Sequence, residues 1–181
     1  TAHGRYPTNT PGWWGGAHPF SLLDYSIVHN GEISSYDANR RYIEMFGYKC
    51  TLLTDTEVIT YIIDFLNRKK GLSLEDTARV IAPPFWQQIE QLAPPERERL
   101  TALRKAFSSL LITGPFSIIL GFKDGIMALN DRLKLRSMVA AEKDDVLFVA
   151  SEECAIKAIC NKPDRIWSPG GGEPIFATLE K

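Results

Sequence analysis

At Gly114–Pro115 the hydrophobic pattern of this chain changes period. Upstream, "TDTEVITYIIDFLNRKKG" places Val58, Ile59, Ile62, Ile63 and Leu66 three or four positions apart, the spacing of one buried helical stripe. Thr54 or Asp55 is the expected N-cap, Glu57 adds charge to the first turn, and Arg68, Lys69 and Lys70 precede Gly71. Downstream, "FSIILGF", "GIMALN", "SMVAAEK" and "DVLFVAS" are short β-rich runs broken by Asp-Gly, Asp-Arg and Asp-Asp. A chain that changes period in this way folds as layered α+β, not as regular βαβ alternation.

The remaining segments fit that scheme. Residues 1–21 are rich in Gly, Pro, Thr and Trp and read as extended loop. Leu22–His29 reads as a strand entering an Asn-Gly turn, Tyr36–Phe46 as a helix stopped by Gly47, and Tyr48–Leu53 as a short strand. Residues 73–111 form a mostly helical block opened by a capping box at Ser73 and divided by Pro83–Pro84 and Pro94–Pro95. Ser151–Ile159 reads as a helix and "EPIFATLE" as a last strand. One domain spans 1–181, with 73–111 as a helical insertion outside any site.

Composition excludes several classes. A net charge of −1 gives no bulk attraction to nucleic acid or anionic membrane. No apolar run approaches the roughly 20 residues of a membrane helix. Cys50, Cys154 and Cys160 are odd in number and at no metal-ligand spacing, which favours buried thiols in a reducing compartment, the cytoplasm first. No metal or cofactor is expected.

The polar residues suited to chemistry gather in the first third. Taken singly, each has an ordinary reading: Arg5 as surface charge, Asn30–Gly31 as a turn, Asp55 as a helix cap, and Trp13–Trp14 as a packed loop. Together they describe more. A guanidinium holds a carboxylate, a carboxylate holds an ammonium, and an amide with a glycine N–H holds an oxyanion. Such a set suits an α-amino acid with a carbonyl at its far end.

The motifs "RYPTNT", "WWGGAHPF", "VHNGEIS", "TDTEVI", "GPFSIIL", "LNDRLKLRSM" and "VLFVASEECAI", in this order over residues 3–160, resemble the class II, N-terminal-nucleophile glutamine amidotransferases. Their wording is most similar to the amidotransferase domain of glutamate synthase and its archaeal-type stand-alone relatives, more than to the glucosamine or purine branches. The resemblance implies a four-layer αββα sandwich, here expected to lack its first strands. It implies hydrolysis of L-glutamine to glutamate and ammonia, the ammonia passing to a synthase domain or subunit. Arg5 would bind the substrate α-carboxylate, with Thr8 and Asn9 near it, and Asp55 would take the α-ammonium. The Asn30 side chain and the Gly31 N–H would form the oxyanion hole, with His18 and His29 lining or bracing the pocket. Asp131–Arg132 matches a structural motif after the sheet.

One departure matters. The family's nucleophile is an N-terminal cysteine whose own amine is the base. No cysteine of this chain aligns with it, so the nucleophile segment is expected upstream of Thr1. Thr1 itself is four residues from Arg5, roughly 13 Å along an extended strand, which disfavours it as nucleophile. The competing reading is a glutamine-binding or scaffold domain of the same fold without catalysis.

Overall fold

The computed structural model describes residues 1–4 and 12–179. The elements run β1 (Phe20–Leu22), β2 (Tyr25–Gly31), α1 (Tyr36–Glu44), α2 (Asp55–Asp64), α3 (Leu74–Ile81), α4 (Trp86–Glu90), α5 (Pro94–Ala106), β3 (Phe116–Phe122), β4 (Gly125–Asn130), β5 (Val139–Lys143), β6 (Val146–Ala150), α6 (Glu153–Ile159), β7 (Arg165–Trp167) and β8 (Ile175–Thr178). One sheet has the order β1-β2-β3-β4-β8 and the other β6-β5-β7, with every strand pair antiparallel.

Strand alternation sorts the side chains into three buried layers. Ile27 of β2, Ile118 and Leu120 of β3, and Met127 and Leu129 of β4 pack against Ile43 of α1 and Val58, Ile59, Ile62 and Ile63 of α2. Their sequence neighbours point the other way. Ile119 and Ala128 of the large sheet meet Ala140, Leu147, Val149 and Trp167 of the small one. The outer face of the small sheet, with Ala141, Phe148 and Ile166, carries Ile156 of α6. Helices, sheet, sheet and helix therefore stack in the αββα order. Each sheet buries both faces, which is why the strands are apolar at successive positions instead of alternating with polar ones.

Three local expectations are corrected. Asn30–Gly31 is not a turn: both residues end β2, with Asn30 opposite Ser117 and Gly31 opposite Phe116 on β3. Tyr48–Leu53 forms no strand. Instead the fully buried Glu57 carboxylate accepts the Thr51 and Leu52 N–H groups at 3.1 and 2.9 Å and hangs this segment on α2. The expected single strand from Leu22 is a hairpin of β1 and β2, and β7 was not legible at all. The 73–111 block also contributes to the core: Ala78, Val80, Ile81 and Leu110 belong to the helix-side cluster. Other expectations hold. The Ser73 hydroxyl caps α3 by accepting from the Asp76 N–H at 3.0 Å. The α2 stripe is buried throughout, its helix passing into a π-helical turn at Phe65–Lys69. Among the described residues no helix is long and apolar enough to cross a membrane.

Candidate functional site

The C-terminal end of β2 brings the motif residues together. Successive side chains of a strand face opposite sides, so His29 and Asn30 diverge. His29 is buried and turns toward the N-terminus of α2, where its Nδ1 lies 3.2 Å from Asp55 Oδ1 and 3.3 Å from Thr56 Oγ1. Asn30 is exposed, and it borders a cavity of about 230 Å³ between the two sheets. His3, His29, Ser117 and Ser151 also line this cavity. The His29 Nε2 atom is buried with no hydrogen-bond partner among the described residues.

Gly31 is required by the backbone. Its φ is +152°, and a Cβ at this position would lie 2.1 Å from the Pro115 carbonyl oxygen and 2.8 Å from Phe116 Cα. Only glycine allows the strand to approach its neighbour so closely and then leave the sheet. The chain departs through Glu32, whose N–H donates to Pro115 O, and Ser34, whose N–H donates to Thr113 O.

Asp55 is the first residue of α2 and only 8% exposed. Its role as a cap is replaced by tertiary bonds: Oδ2 accepts the Ile33 N–H at 3.3 Å while Oδ1 faces His29. Burial pushes the Asp55 carboxyl up. The hydrogen bond and charge of His29, with the N–H groups of Ile33 and Thr56, outweigh burial and hold it below the usual carboxylate range. A carboxylate also gains from the positive end of a helix dipole. The result is an anionic group with lone pairs to spare, at the rim of the motif cluster.

His18 joins through Thr56. Its Nε2 lies 2.9 Å from Thr56 Oγ1, and its ring centroid lies 4.7 Å from that of His3. Thr56 thus touches both histidines, a bridging role that the sequence reading missed. Its signal was the hydroxyl beside Asp55 in "TDTEVI". Arg5, Thr8 and Asn9 lie outside the described residues.

Thr1 is at the wrong end of the strand. Its Oγ1 lies 3.2 Å from Ser26 Oγ, and Ser26 pairs with Gly121 where Asn30 pairs with Ser117. Four residues of strand separate Ser26 from Asn30, about 13 Å. The cysteines are elsewhere too. Cys50 is in the helix-side core, where burial, then Glu57 and Glu44, push its thiol up to about 11. Cys160 is buried beneath α6, and exposed Cys154 donates its S–H to Glu152. None of the three lines the cavity.

Asp131 is structural. Its buried carboxylate accepts from the backbone N–H groups of Phe116, Leu133, Leu135 and Arg136. It thereby ties the loop after β4 to the start of β3.

Comparisons with known proteins bear on the family and the fold. The family model for class II glutamine amidotransferases matches residues 1–167. The chain is 52% identical over 180 residues to an uncharacterized protein of Archaeoglobus fulgidus, covering 99% of this chain and 48% of that protein. It is 29% identical over 183 residues to a glutamine–fructose-6-phosphate aminotransferase of Pseudomonas aeruginosa, covering 99% of this chain and 27% of that enzyme. It therefore spans about half the length of the first relative and about a quarter of the second. Among solved structures, the glutamine phosphoribosylpyrophosphate amidotransferase of B. subtilis superposes with a TM-score of 0.65 at 18% identity, over 97% of this chain and 32% of that one, which establishes the common fold. With the αββα layering and the family match across nearly the whole sequence, the chain belongs to the class II glutamine amidotransferases.

Proposed function

We propose that this domain binds L-glutamine at the end of β2 and hydrolyses its side-chain amide. The observation that supports the reading is the placement of Asn30 and Gly31 at the end of β2, beside His29, whose imidazole holds the anionic Asp55 on the other face of the strand. Asp55 takes the substrate ammonium, Arg5 its α-carboxylate, and Thr8 and Asn9 assist Arg5. The Asn30 amide and Gly31 N–H hold the carbonyl oxygen as it becomes an oxyanion. His29 and Thr56 keep Asp55 in place, and His18 braces Thr56.

The attacking group in this proposal is an N-terminal cysteine thiolate, as the family resemblance implies, since Cys50, Cys154 and Cys160 lie away from the Asn30 cavity. Its sulfur adds to the amide carbon, ammonia leaves after protonation, and water then releases glutamate from the thioester. The ammonia goes to a synthase domain or subunit. A glutamate synthase-type acceptor is favoured by the wording of "RYPTNT…HPF…HNGEI" alone. A second reading, a glutamine-binding domain without turnover, is favoured by the cavity lining, which includes no thiol.

The test is release of glutamate and ammonia from glutamine by the full-length protein, before and after its N-terminal cysteine is changed to alanine. Turnover lost in the variant, with glutamine binding retained, supports the hydrolase. Binding without turnover in the unaltered full-length protein supports the second reading.

A further inference from the structure

Phe85 and Trp86, consecutive residues at the start of α4, each carry a guanidinium on the ring. Arg104 of α5 lies 4.0 Å from the Trp86 ring centroid, and Arg132 of the loop after β4 lies 4.7 Å from that of Phe85. Arg104 donates one N–H to the Pro84 carbonyl at 2.7 Å. The Nη1 of Arg132 is buried and has no hydrogen-bond partner among the described residues. Arg40, Arg68, Arg99 and Arg165 have a carboxylate within 4 Å; Arg104 and Arg132 are among the described arginines that do not. Burial, and then the charge of Arg132, weaken the hold of Arg104 on its proton. Two like charges share an aromatic shelf and lack a counter-ion.

The surroundings are apolar. Phe85 and Trp86 are 37% and 43% exposed, and the Arg132 loop also exposes Leu133 and Leu135. Beside Trp86 and Arg104 a cavity of about 230 Å³ is walled by Val80, Phe107 and Leu111. A free phosphate would use the arginines and leave this apolar rim wet. A polypeptide uses both, and Trp and Arg are the residues that dominate protein interfaces.

We propose that this face docks an acidic, leucine-bearing segment of a partner polypeptide, with its carboxylates on Arg104 and Arg132 and an aliphatic side chain in the cavity. Charge complementarity selects the partner, since two uncompensated guanidiniums favour carboxylates and reject basic segments. The face shares no residue with the lining of the Asn30 cavity, so the proposal stands apart from the glutaminase reading.

The test is titration of the 181-residue chain with a capped peptide of alternating glutamate and leucine, read by the fluorescence of Trp86 against a Trp86→Phe control. Lysine–leucine peptide and sodium phosphate serve as competitors. Saturable quenching below about 1 mM that weakens with salt is expected. It should weaken on the order of tenfold or more in Arg104→Gln/Arg132→Gln, and less in Arg104→Lys/Arg132→Lys, which keeps the charge but loses the planar stack. Circular dichroism and thermal melting confirm that the variants fold. Should the glutamine double variant not fold, the lysine variant decides, and unchanged binding there overturns the proposal. So does absence of saturation, displacement by phosphate at equal concentration, or self-association of the chain abolished by the same substitutions, which would assign the face to a second copy.

Discussion

Replacing Asp55 by Asn removes one charge and almost no volume. The carboxylate has about four acceptor directions, of which the structure uses Oδ1 for His29 and, at 3.5 Å, for the Thr56 hydroxyl, and Oδ2 for the Ile33 N–H. The remaining direction on Oδ2 is the one open to a substrate ammonium. In the variant the amide oxygen still accepts from Ile33 and the amide NH2 faces His29 Nδ1, which then accepts in its Nε2–H tautomer, so the local fold exchanges a charged for a neutral hydrogen bond, a loss of about 1 kcal/mol. For a chain of this size that lowers Tm by about 2–4 °C. The substrate loses more, because a desolvated ammonium is left facing a neutral group. The cost is about 2–5 kcal/mol, a weakening of glutamine affinity by about 30-fold to several thousand-fold. The assay is calorimetric titration of glutamine beside thermal melting. Asp64→Asn is the control: Asp64 is fully buried on the same helix and held by Arg68 at 2.6 and 2.7 Å. It should lower Tm and leave affinity intact. Unchanged affinity in Asp55→Asn, or equal loss in both variants, would refute the assignment of Asp55 to the ammonium.

The remaining expectations concern backbone, acid and chemistry. Gly31→Ala places a Cβ 2.1 Å from Pro115 O, so β2 and β3 must separate, and both turnover and Tm should fall. Asp55 has a lowered folded-state pKa, so its contribution is complete above the unfolded value near 3.8 and is lost as pH falls through the folded value. Acid melts between about pH 5 and 2 should therefore show a smaller stability loss in Asp55→Asn than in the unaltered chain. Asp131→Ala strips the acceptor from four backbone N–H groups and should cost about 3 kcal/mol or more, seen in urea melts, while an intact chain at low urea still binds glutamine. Residues 1–181 alone should release no ammonia from glutamine, and Thr1→Ala or Cys50→Ala should change nothing. Turnover abolished by either substitution would move the nucleophile into this chain.

The layered fold was legible because two periods are written plainly on either side of Gly114–Pro115, and the buried stripe of α2 is the stripe its spacing dictates. What sequence patterning missed depended on tertiary partners. "TLL" after Cys50 has the composition of a strand, but no neighbouring edge accepts it, and Glu57 holds it as a loop. Arg165–Trp167 is too short to show a period, and it becomes β7 only because β5 offers an edge. Asn-Gly carries turn propensity, yet the positive φ of Gly31 is used to bring two strands together. At the site, the motif order singled out His29 and Asp55, which the fold brings to 3.2 Å, and Asn30 and Gly31, which end the same strand with Asn30 on its opposite face. The bridging Thr56 was hidden because a threonine in a first helical turn is unremarkable until two histidines fold onto it.

The opposed directions of His29 and Asn30 limit how this segment can change. β2 lies between β1 and β3, locked to β3 by six residue pairs from Ser26 to Gly31. Inserting or deleting one residue within that stretch would exchange the two faces. The imidazole would then leave Asp55 and point fully into the inter-sheet cavity it now only borders, and the amide would be driven toward Asp55 and the apolar side chains of α2. Substitutions can adjust the pocket one face at a time, but a length change rewrites both at once. Families of such chains should accumulate their insertions in the connections beyond Gly31 and leave the residue count of β2 fixed.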